Sequence, residues 1–234
     1  MTGVQTCALP ILKRQSDHGW VILGANAVGR ELARALKKGG EDVVMIDANP
    51  SLCRLAEKEE LKVIYGNALE ESVLLRAEID IRKGAIGLSE NEEVNMLFAK
   101  RAKEAGKVPE TFISIKRDDE SVTAEMVAEV DGNIPFGRAR DLEKWSVWIR
   151  HAEVETYNLI CQSDDDVTAG DTFGKETEGV VIPLIFMRNT KVTPLGHLTE
   201  LKKDDQITCL VLTEKKDQFN AWLAKSVFSS NTIS

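Results

Sequence analysis

A glycine-rich loop between an apolar run and a helical pattern is the stretch of this sequence best suited to binding chemistry. The apolar run 20–23 (WVIL) ends at Gly24, the chain continues through GANAVG, and Val28, Leu32 and Leu36 then recur at helical spacing. A loop of this kind points backbone N–H groups at an anion, and the helix N-terminus adds partial positive charge. The stretch therefore predicts a phosphate-binding turn between a strand and a helix.

An acidic residue follows at the spacing that suits a ribose. The second apolar run, residues 43–46, ends at Asp47, whose carboxylate can accept hydrogen bonds from ribose hydroxyls. Asn26 stands where the fingerprint has its second glycine, which lets the backbone approach the phosphates. Asparagine tolerates a left-handed backbone better than most residues, but it carries a side chain. The residues therefore predict a nucleotide half-site that Asn26 could obstruct.

The elements that must position this loop alternate between strand and helix. Further strands are predicted at residues 62–66, 85–88 and 111–115, with helices between and after them, including 70–77 and 121–130. This alternation implies βαβ units, a parallel sheet and right-handed crossovers. The carboxyl edge of that sheet would collect polar groups around the loop, namely Asp47, Asn67, Ser89, Lys116 and Arg117.

The sequence makes more specific predictions for the helices that begin near Asn49 and Ser89. Asn49 is a candidate N-cap and Pro50 suits the first turn of the helix that follows the second strand. The helix after Ser89 begins with an acidic stretch, residues 90–93, which complements the helix dipole. We expect one apolar face of that helix to contain Val94, Leu97, Phe98 and Ala102.

Beyond residue 138 the pattern changes. Residues 139–152 are predicted as a connecting helix with Trp145 and Trp148 at i,i+3, which would pack within the chain or form a subunit seam. Residues 153–228 are predicted as a small, mainly β domain that begins with strand 154–161. Within it we expect a polar loop at 162–179 and a hairpin turn at 188–191, and residues 229–234 form a tail too polar to pack.

Composition narrows the class of protein. The 234 residues can form one large or two modest domains, and 43% hydrophobic and 29% charged residues are ordinary for a globular chain. The longest apolar run, 180–187, is too short to cross a bilayer. A net charge of −8 without a basic cluster excludes nucleic acid as the expected partner. The four cysteines form no CxxC pair, which favours a reducing compartment and no zinc site.

The first residues need separate treatment. Residues 1–11 (MTGVQTCALPI) carry no charge or periodicity and resemble a sequencing-library adapter read in frame, so they are excluded from fold reasoning. Residues 12–18 form a polar linker to the first strand. On this interpretation Met1 is not the natural start, and we expect a missing upstream part.

Four segments together resemble a known family. VILGANAVGRELARAL, VVMIDANP, VIYGNALEESVL and GLSENEEVNMLFAKRAKE are similar to the signatures of an RCK domain, the regulator-of-potassium-conductance or Trk-type NAD-binding module. The resemblance covers about residues 20–130 within a predicted domain of residues 19–138. It implies an α/β, Rossmann-like, doubly wound parallel sheet, followed by a smaller mainly β (α+β) domain like the one that accompanies RCK modules.

The resemblance also implies a binding site. In that family the glycine loop, the acid after the second strand and the turn after the third strand bind NAD(H) or an adenine nucleotide. NAD(H) is therefore expected before ADP or ATP, and the residues expected to bind it are Gly24, Ala25, Asn26, Ala27, Val28, Gly29, Asp47, Ala48, Asn67, Ala68 and Ser89. Three of them depart from the family pattern, because Asn26 replaces a glycine, Asn67 replaces a usual aspartate and Ala27 stands where many members have a basic residue.

The segment around residues 141–150 is similar to the one that follows the RCK module in certain bacterial monovalent cation:proton antiporters. We therefore expect a nucleotide-sensing regulatory module of a Na+ or K+/proton antiporter, separated from its membrane transport domain. The chain would be a non-enzyme, soluble as a fragment, positioned at the cytoplasmic face of the cell membrane and assembled as a homodimer or higher oligomer.

Two alternatives to the antiporter module remain open. One is a detached regulatory subunit of a potassium transporter. The other is a soluble NAD(P)-dependent oxidoreductase. A short-chain dehydrogenase would need a catalytic tyrosine with a lysine four residues later. Here the residue four positions after Tyr65 is Leu69, and the residue four positions after Tyr157 is Cys161, so neither tyrosine fits.

No metal site is expected. The three histidines, His18, His151 and His197, are far apart in sequence and have no i,i+4 pair. Three adjacent carboxylates at residues 164–166 cannot converge on one cation, so they favour a solvated loop.

Overall fold

A computed structural model describes residues 18–116 and 121–231 of the chain. The predictions for the adapter-like segment, most of the 12–18 linker, Arg117 and the last three residues of the tail therefore lie outside the described residues. Within the described ranges, no helix combines the length and the apolar content that crossing a membrane requires.

The first half of the chain folds as a parallel sheet with the strand order β3-β2-β1-β4-β5. Its elements are β1 (Trp20–Leu23), α1 (Ala27–Lys38), β2 (Val43–Asp47), α2 (Pro50–Lys58), β3 (Lys62–Tyr65), α3 (Glu71–Arg76), β4 (Gly84–Gly87), α4 (Glu92–Gly106), β5 (Glu110–Ile113) and α5 (Ala124–Glu129). The order reverses at β1, which makes its carboxyl end the usual place for a ligand in open α/β sheets. The predicted Rossmann-like fold class is confirmed.

Helices cover both faces of this sheet because the strands are apolar on both sides. In β1, Trp20 and Ile22 join the cluster that contains the buried face of α1, whereas Val21 and Leu23 join the cluster that contains α3 and α4. The side chains of successive residues point to opposite faces of a strand, so a fully buried strand reads as a continuous apolar run.

The cap predictions for the helices are confirmed. The Asn49 side chain accepts hydrogen bonds from the amides of Ser51 and Leu52, and Pro50 is the first residue of α2. One detail of α4 was wrong: Leu97 is 47% exposed, whereas Met96, Phe98 and Ala99 are buried. The helix packs against both the β4 side and α5, so its buried face is rotated away from Leu97.

The second half forms a five-stranded antiparallel sheet in the order β12-β6-β11-β8-β9, with a separate two-stranded pair β10-β7. Its elements are α6 (Leu142–Arg150), β6 (Val154–Cys161), β7 (Val167–Thr168), α7 (Ala169–Thr172), β8 (Val181–Arg188), β9 (Lys191–Pro194), β10 (Glu200–Leu201), β11 (Gln206–Leu212), α8 (Lys216–Leu223) and β12 (Phe228–Asn231). The predicted hairpin is confirmed, since Arg188 pairs with Lys191 across a two-residue turn.

Two predictions for this half were wrong. Residues 162–179 were expected to be loop throughout, but β7 and α7 lie within them because Leu201 of β10 pairs with Val167. The chain after Phe228 was expected to be too polar to pack, but Ser229 and Ser230 pair with β6. Backbone hydrogen bonds to an open strand edge do not require apolar side chains, and Phe228 anchors the start of the strand in the core.

The two halves share one core. Trp145 is 2% exposed and packs in the same cluster as Leu36 of α1 and Leu184 of β8, so it lies within its own chain, as the intradomain interpretation predicted. Trp148 is half-buried beside it, with the two ring centroids 5.2 Å apart. The C-terminal end of α1 touches the second sheet, because a Cβ added at Gly39 would lie 2.5 Å from Val192.

Candidate functional site

A cleft of about 350 Å3 opens at the carboxyl ends of β1 to β4. Seven of the predicted residues line it, namely Gly24, Asn26, Asp47, Ala48, Asn67, Ala68 and Ser89. The other four, Ala25, Ala27, Val28 and Gly29, do not line the cleft; Ala25, Ala27 and Val28 are almost fully buried under the loop. The site thus combines a lined cavity with a supporting turn beneath it.

Both predicted loop glycines are required because other backbone atoms lie where a Cβ would be. Gly24 has φ +108°, and a Cβ there would lie 2.8 Å from the Leu88 carbonyl. A Cβ on Gly29 would lie 2.2 Å from the Gly24 carbonyl oxygen. The two glycines therefore let the first turn of α1 press against the loop and let the loop press against the end of β4.

Asn26 does not adopt the left-handed backbone conformation that asparagine tolerates. Its φ is −64°, so no left-handed backbone is needed there. Its Oδ1 accepts a hydrogen bond from the Gly29 amide at 2.9 Å, which caps α1, and its Nδ2 donates to the Leu88 carbonyl at 2.6 Å. The buried Asn26 side chain therefore ties the loop to the β4 end and occupies one helix amide that could otherwise face an anion.

Asp47 joins the loops that follow β1 and β2. Its Oδ2 accepts from the Ala25 amide at 2.6 Å, and its Oδ1 accepts from the Asn49 amide at 2.7 Å. The carboxylate is half-buried at the cleft wall. Since each carboxylate oxygen can accept more than one hydrogen bond, both remain able to accept from ribose hydroxyls.

The backbone amides at the start of α1 differ in whether they already donate a hydrogen bond. The amides of Ala25 and Gly29 are bonded to side chains, as described above. Ala27 and Val28 lie in the first helical turn, where an amide has no intrahelical acceptor. Among the described residues, neither amide donates a hydrogen bond, which makes them the donors best suited to an anion.

Sequence reasoning missed two residues that hold the cleft in shape. Buried Arg30 donates from Nη1 to the Ala25 carbonyl at 2.7 Å and from Nε to Glu59 at 3.0 Å. Fully buried Asn95 accepts from the Ser89 amide at 2.8 Å and donates to the Ser114 carbonyl at 3.2 Å. Both are polar residues one helical turn after a cap, but only the folded chain shows their partners.

The cleft has acidic rather than basic walls. Asp47 and Glu90 line it, and no lysine or arginine is among its lining residues in the described part of the chain. Lys116, which was expected at this edge, lines a neighbouring cavity of about 40 Å3, and its Nζ lies 3.8 Å from Glu143. A phosphate in the cleft would therefore depend on uncharged donors, backbone amides and neutral side chains, for its hydrogen bonds.

Other sequence candidates do not form a second reactive centre. His197 Nδ1 lies 2.7 Å from Asn133 Oδ1 and accepts from the Ile134 amide at 3.1 Å, so it joins the two halves. His18 and His151 are exposed, and Asp164 pairs with Lys203 at 2.8 Å. Within residues 18–116 and 121–231, no group of three or more metal-ligating side chains could hold an ion.

Comparison with solved structures gives several similar folds. The TrkA-N domain of the inner membrane protein ybaL from Escherichia coli has 18% identity and a TM-score of 0.47, covering 58% of this chain and 98% of that one. The GsuK RCK domain has 16% identity and a TM-score of 0.44, covering 97% of this chain and 51% of that one. A GsuK channel bound to NAD has 17% identity and a TM-score of 0.44, covering 95% of this chain and 42% of that one. The chain thus spans about half or less of the GsuK chains that it matches.

A family model gives the assignment. The TrkA-N domain model matches residues 20–132, a range that begins at the first residue of β1 and ends just after α5. It contains the glycine loop, Asp47 and every other residue that lines the cleft. Residues 20–132 of this chain are therefore a TrkA-N domain.

Proposed function

We propose that the chain is a nucleotide-sensing regulatory module of a membrane cation transporter and that its ligand is NAD(H), with ADP and ATP as the alternatives. The observation that carries the proposal is the position of Asp47, at the wall of the cleft and hydrogen-bonded to the glycine loop. TrkA-N domains bind NAD(H), so the family match supports the same ligand.

Each part of the nucleotide has a candidate partner in this proposal. The Asp47 carboxylate accepts hydrogen bonds from the ribose hydroxyls. The N-terminus of α1 contributes the positive end of its helix dipole to the phosphates, and the Ala27 and Val28 amides are its candidate donors, although neither residue lines the cleft. Asn67 and Ser89 line the remaining walls, with Asn67 exposed and its Oδ1 bonded to the Leu69 amide at 3.0 Å. The ligand acts as a signal here, not as a reactant, so the module is not an enzyme.

The transporter that we propose is a monovalent cation:proton antiporter for Na+ or K+, with this module at the cytoplasmic face of the membrane. The resemblance of residues 141–150 to antiporter segments supports it. In this arrangement nucleotide occupancy changes the packing of the module against the transport domain. Coupling between two such sites is typically ~1–3 kcal/mol, which changes transport severalfold to about a hundredfold.

Assembly as a homodimer belongs to the same proposal. Trp145 is buried within the chain, so a dimer cannot depend on it, and half-buried Trp148 is the indole that remains for a seam. Light scattering on the full chain measures the assembly directly. We expect a dimer that Trp148→Ala shifts toward monomer; a monomeric wild-type chain would end this part of the proposal.

Calorimetry on the full chain tests nucleotide binding. We expect heat from NADH, ADP or ATP, and we expect Asp47→Ala to weaken binding by ~1–3 kcal/mol, the scale of hydrogen bonds to a charged group. Asp164→Ala is the matched control, because Asp164 is exposed and does not line the cleft. Absence of heat with all three ligands at millimolar concentration, in a chain that unfolds cooperatively, would refute nucleotide sensing.

A further inference from the structure

Arg140 is a buried cation whose hydrogen-bond partners are all neutral. Its amide donates to the Ile115 carbonyl at 3.1 Å, just beyond the end of β5, and the residue is 2% exposed. Its Nη1 donates to the Thr177 carbonyl at 3.3 Å, its Nη2 to the Thr177 hydroxyl at 3.1 Å and its Nε to the Phe136 carbonyl at 3.5 Å. A guanidinium has five N–H donors, so two have no acceptor among the described residues.

The neighbouring charges do not compensate for this burial. Desolvation, followed by the like charge of Arg138, lowers the pKa of Arg140 to about 9, and the charge of Glu178 only partly offsets that. Arg140 is still protonated at neutral pH. No described carboxylate lies within ion-pair distance of its guanidinium. A buried charge is costly unless it is paired.

A second arginine adds to the unbalanced charge. The Nε of Arg138 is buried and has no hydrogen-bond partner among the described residues. Asp141, which directly follows Arg140, caps α6 by accepting from the Lys144 amide at 3.2 Å and lies 3.4 Å from Lys144 Nζ. Within residues 18–116 and 121–231, the charge of Glu178 acts on Arg140, but no carboxylate forms an ion pair with either arginine.

A cavity of about 400 Å3 adjoins Arg140. Lys144, Trp145, Trp148, Asp141, Glu178 and Gly179 complete its lining. The two indoles meet edge to face with centroids 5.2 Å apart, so the cavity has an aromatic wall beside two cations, Arg140 and Lys144, and two carboxylates, Asp141 and Glu178. A volume of this size is within the range of small-molecule sites.

We propose that this cavity binds a small organic anion, with a carboxylate or phosphate group at Arg140 and Lys144 and a flat apolar body against Trp148. An N–H donor of Arg140 that has no acceptor among the described residues and the Lys144 ammonium can each donate to an oxygen of such a group. The half-buried indole gives the apolar body a surface to cover. The site is separate from the nucleotide cleft, since none of the cleft residues lines the cavity.

Calorimetric titration of the full chain with benzoate, inorganic phosphate and benzamide tests this site. Benzamide is the neutral counterpart of benzoate and measures how much the charge contributes. We expect saturable binding of benzoate or phosphate, and benzamide to bind at least about tenfold more weakly, which corresponds to ~1.4 kcal/mol. Saturation by benzoate alone assigns a carboxylate ligand, and saturation by phosphate assigns a phosphoryl group.

Variants separate the site from a general salt effect. Lys144→Gln removes an exposed lining charge and should weaken anion binding about tenfold, whereas Trp148→Leu should weaken benzoate more than phosphate. Arg150→Gln is the matched control on the same helix, because Arg150 is exposed and does not line the cavity. Asp47→Ala should leave anion binding unchanged. The proposal is overturned if neither anion saturates, if benzamide binds as well as benzoate, or if Arg150→Gln and Lys144→Gln weaken binding equally.

Discussion

The Asp47 carboxylate holds the glycine loop through Ala25, with 2.6 Å between Asp47 Oδ2 and the Ala25 nitrogen. The same side chain accepts from Asn49 through its other oxygen, so one residue fixes the loops after β1 and β2 relative to each other. A charged acceptor strengthens both bonds. A ribose that binds Asp47 therefore joins an existing network and does not have to order the loop.

Asn26→Gly separates the structural role of Asn26 from its effect on the ligand. The change restores the family glycine but removes both side-chain hydrogen bonds, to Gly29 and to Leu88. Glycine is nearly as good an N-cap as asparagine, so the loss comes mainly from the buried Leu88 carbonyl. We expect a loss of ~1–3 kcal/mol in the free energy of unfolding, measured with urea.

Asn67→Gly is the control for Asn26→Gly. Asn67 is exposed, and its side chain accepts a single hydrogen bond, from Leu69. A loss at Asn67 equal to the loss at Asn26 would show that the bridge to β4 contributes nothing of its own.

The acidic walls of the cleft predict a weak dependence on phosphate number. Since no lysine or arginine lines the cleft in the described residues, added phosphates bring charge without a cation to receive it. We expect affinity not to rise from AMP through ADP to ATP. Glu90→Gln should strengthen ATP binding more than adenosine binding, because it removes a nearby like charge. Calorimetry with the four ligands measures this, and a steady rise toward ATP in the wild-type chain would contradict it.

Asp42 should contribute stability that disappears in acid. Burial opposes its ionisation, but the hydrogen bond and charge of fully buried Arg82 outweigh this and hold the pKa of Asp42 below its ordinary value of 3.8. A depressed pKa stabilises the fold above 3.8 and stops doing so as pH falls through the lower, folded-state value. Asp42→Asn should therefore destabilise the chain at pH 7 and have a smaller effect below pH 3.8.

Urea unfolding at pH 7 and near the acid limit measures the Asp42 effect. Asp164→Asn serves as the comparison, because its partner Lys203 and its own side chain are both exposed. Such surface pairs contribute little. A pH-independent cost of Asp42→Asn would show that packing and not charge explains it.

The contact between α1 and the second sheet can be tested at Gly39 and Val192. The φ of Gly39 is −79°, so alanine suits its backbone, but the new Cβ would lie 2.5 Å from Val192. We expect Gly39→Ala to cost ~1–3 kcal/mol through overpacking. Val192→Ala should make room, so the double variant should lose less than the sum of the single variants. Additive losses would indicate that the two residues do not meet.

Local patterns in the sequence predicted most of the parallel sheet. Val28, Leu32 and Leu36 are buried as their spacing required, and Asn49 caps α2 as its type suggested. These predictions succeed because a helix period or a cap depends on residues a few positions apart. Seven of the fourteen residues that line the cleft were predicted as site residues for a similar reason, since they lie at or just after the ends of predicted strands.

Partners distant in sequence were not predictable in this way. Asn26 meets Leu88 across 62 positions and Asn95 meets Ser114 across 19, and no local rule selects those partners. Leu97 was misassigned because α4 packs on two neighbours, which rotates its buried face. The strand at Phe228–Asn231 was missed because β6 supplies its backbone partners from far away in the chain.

The α1 helix has the cleft at one end and Gly39, in contact with Val192, at the other. Its 12 residues span ~18 Å, and we treat a helix of that length as a rigid body. Pivoting it by ~5° at the loop would move its far end by ~1.5 Å. Because Gly39 has no spare space against Val192, such a rotation must either displace the second sheet or be resisted by it. The tightness of that distant contact therefore limits how far the loop can adjust to whatever occupies the cleft.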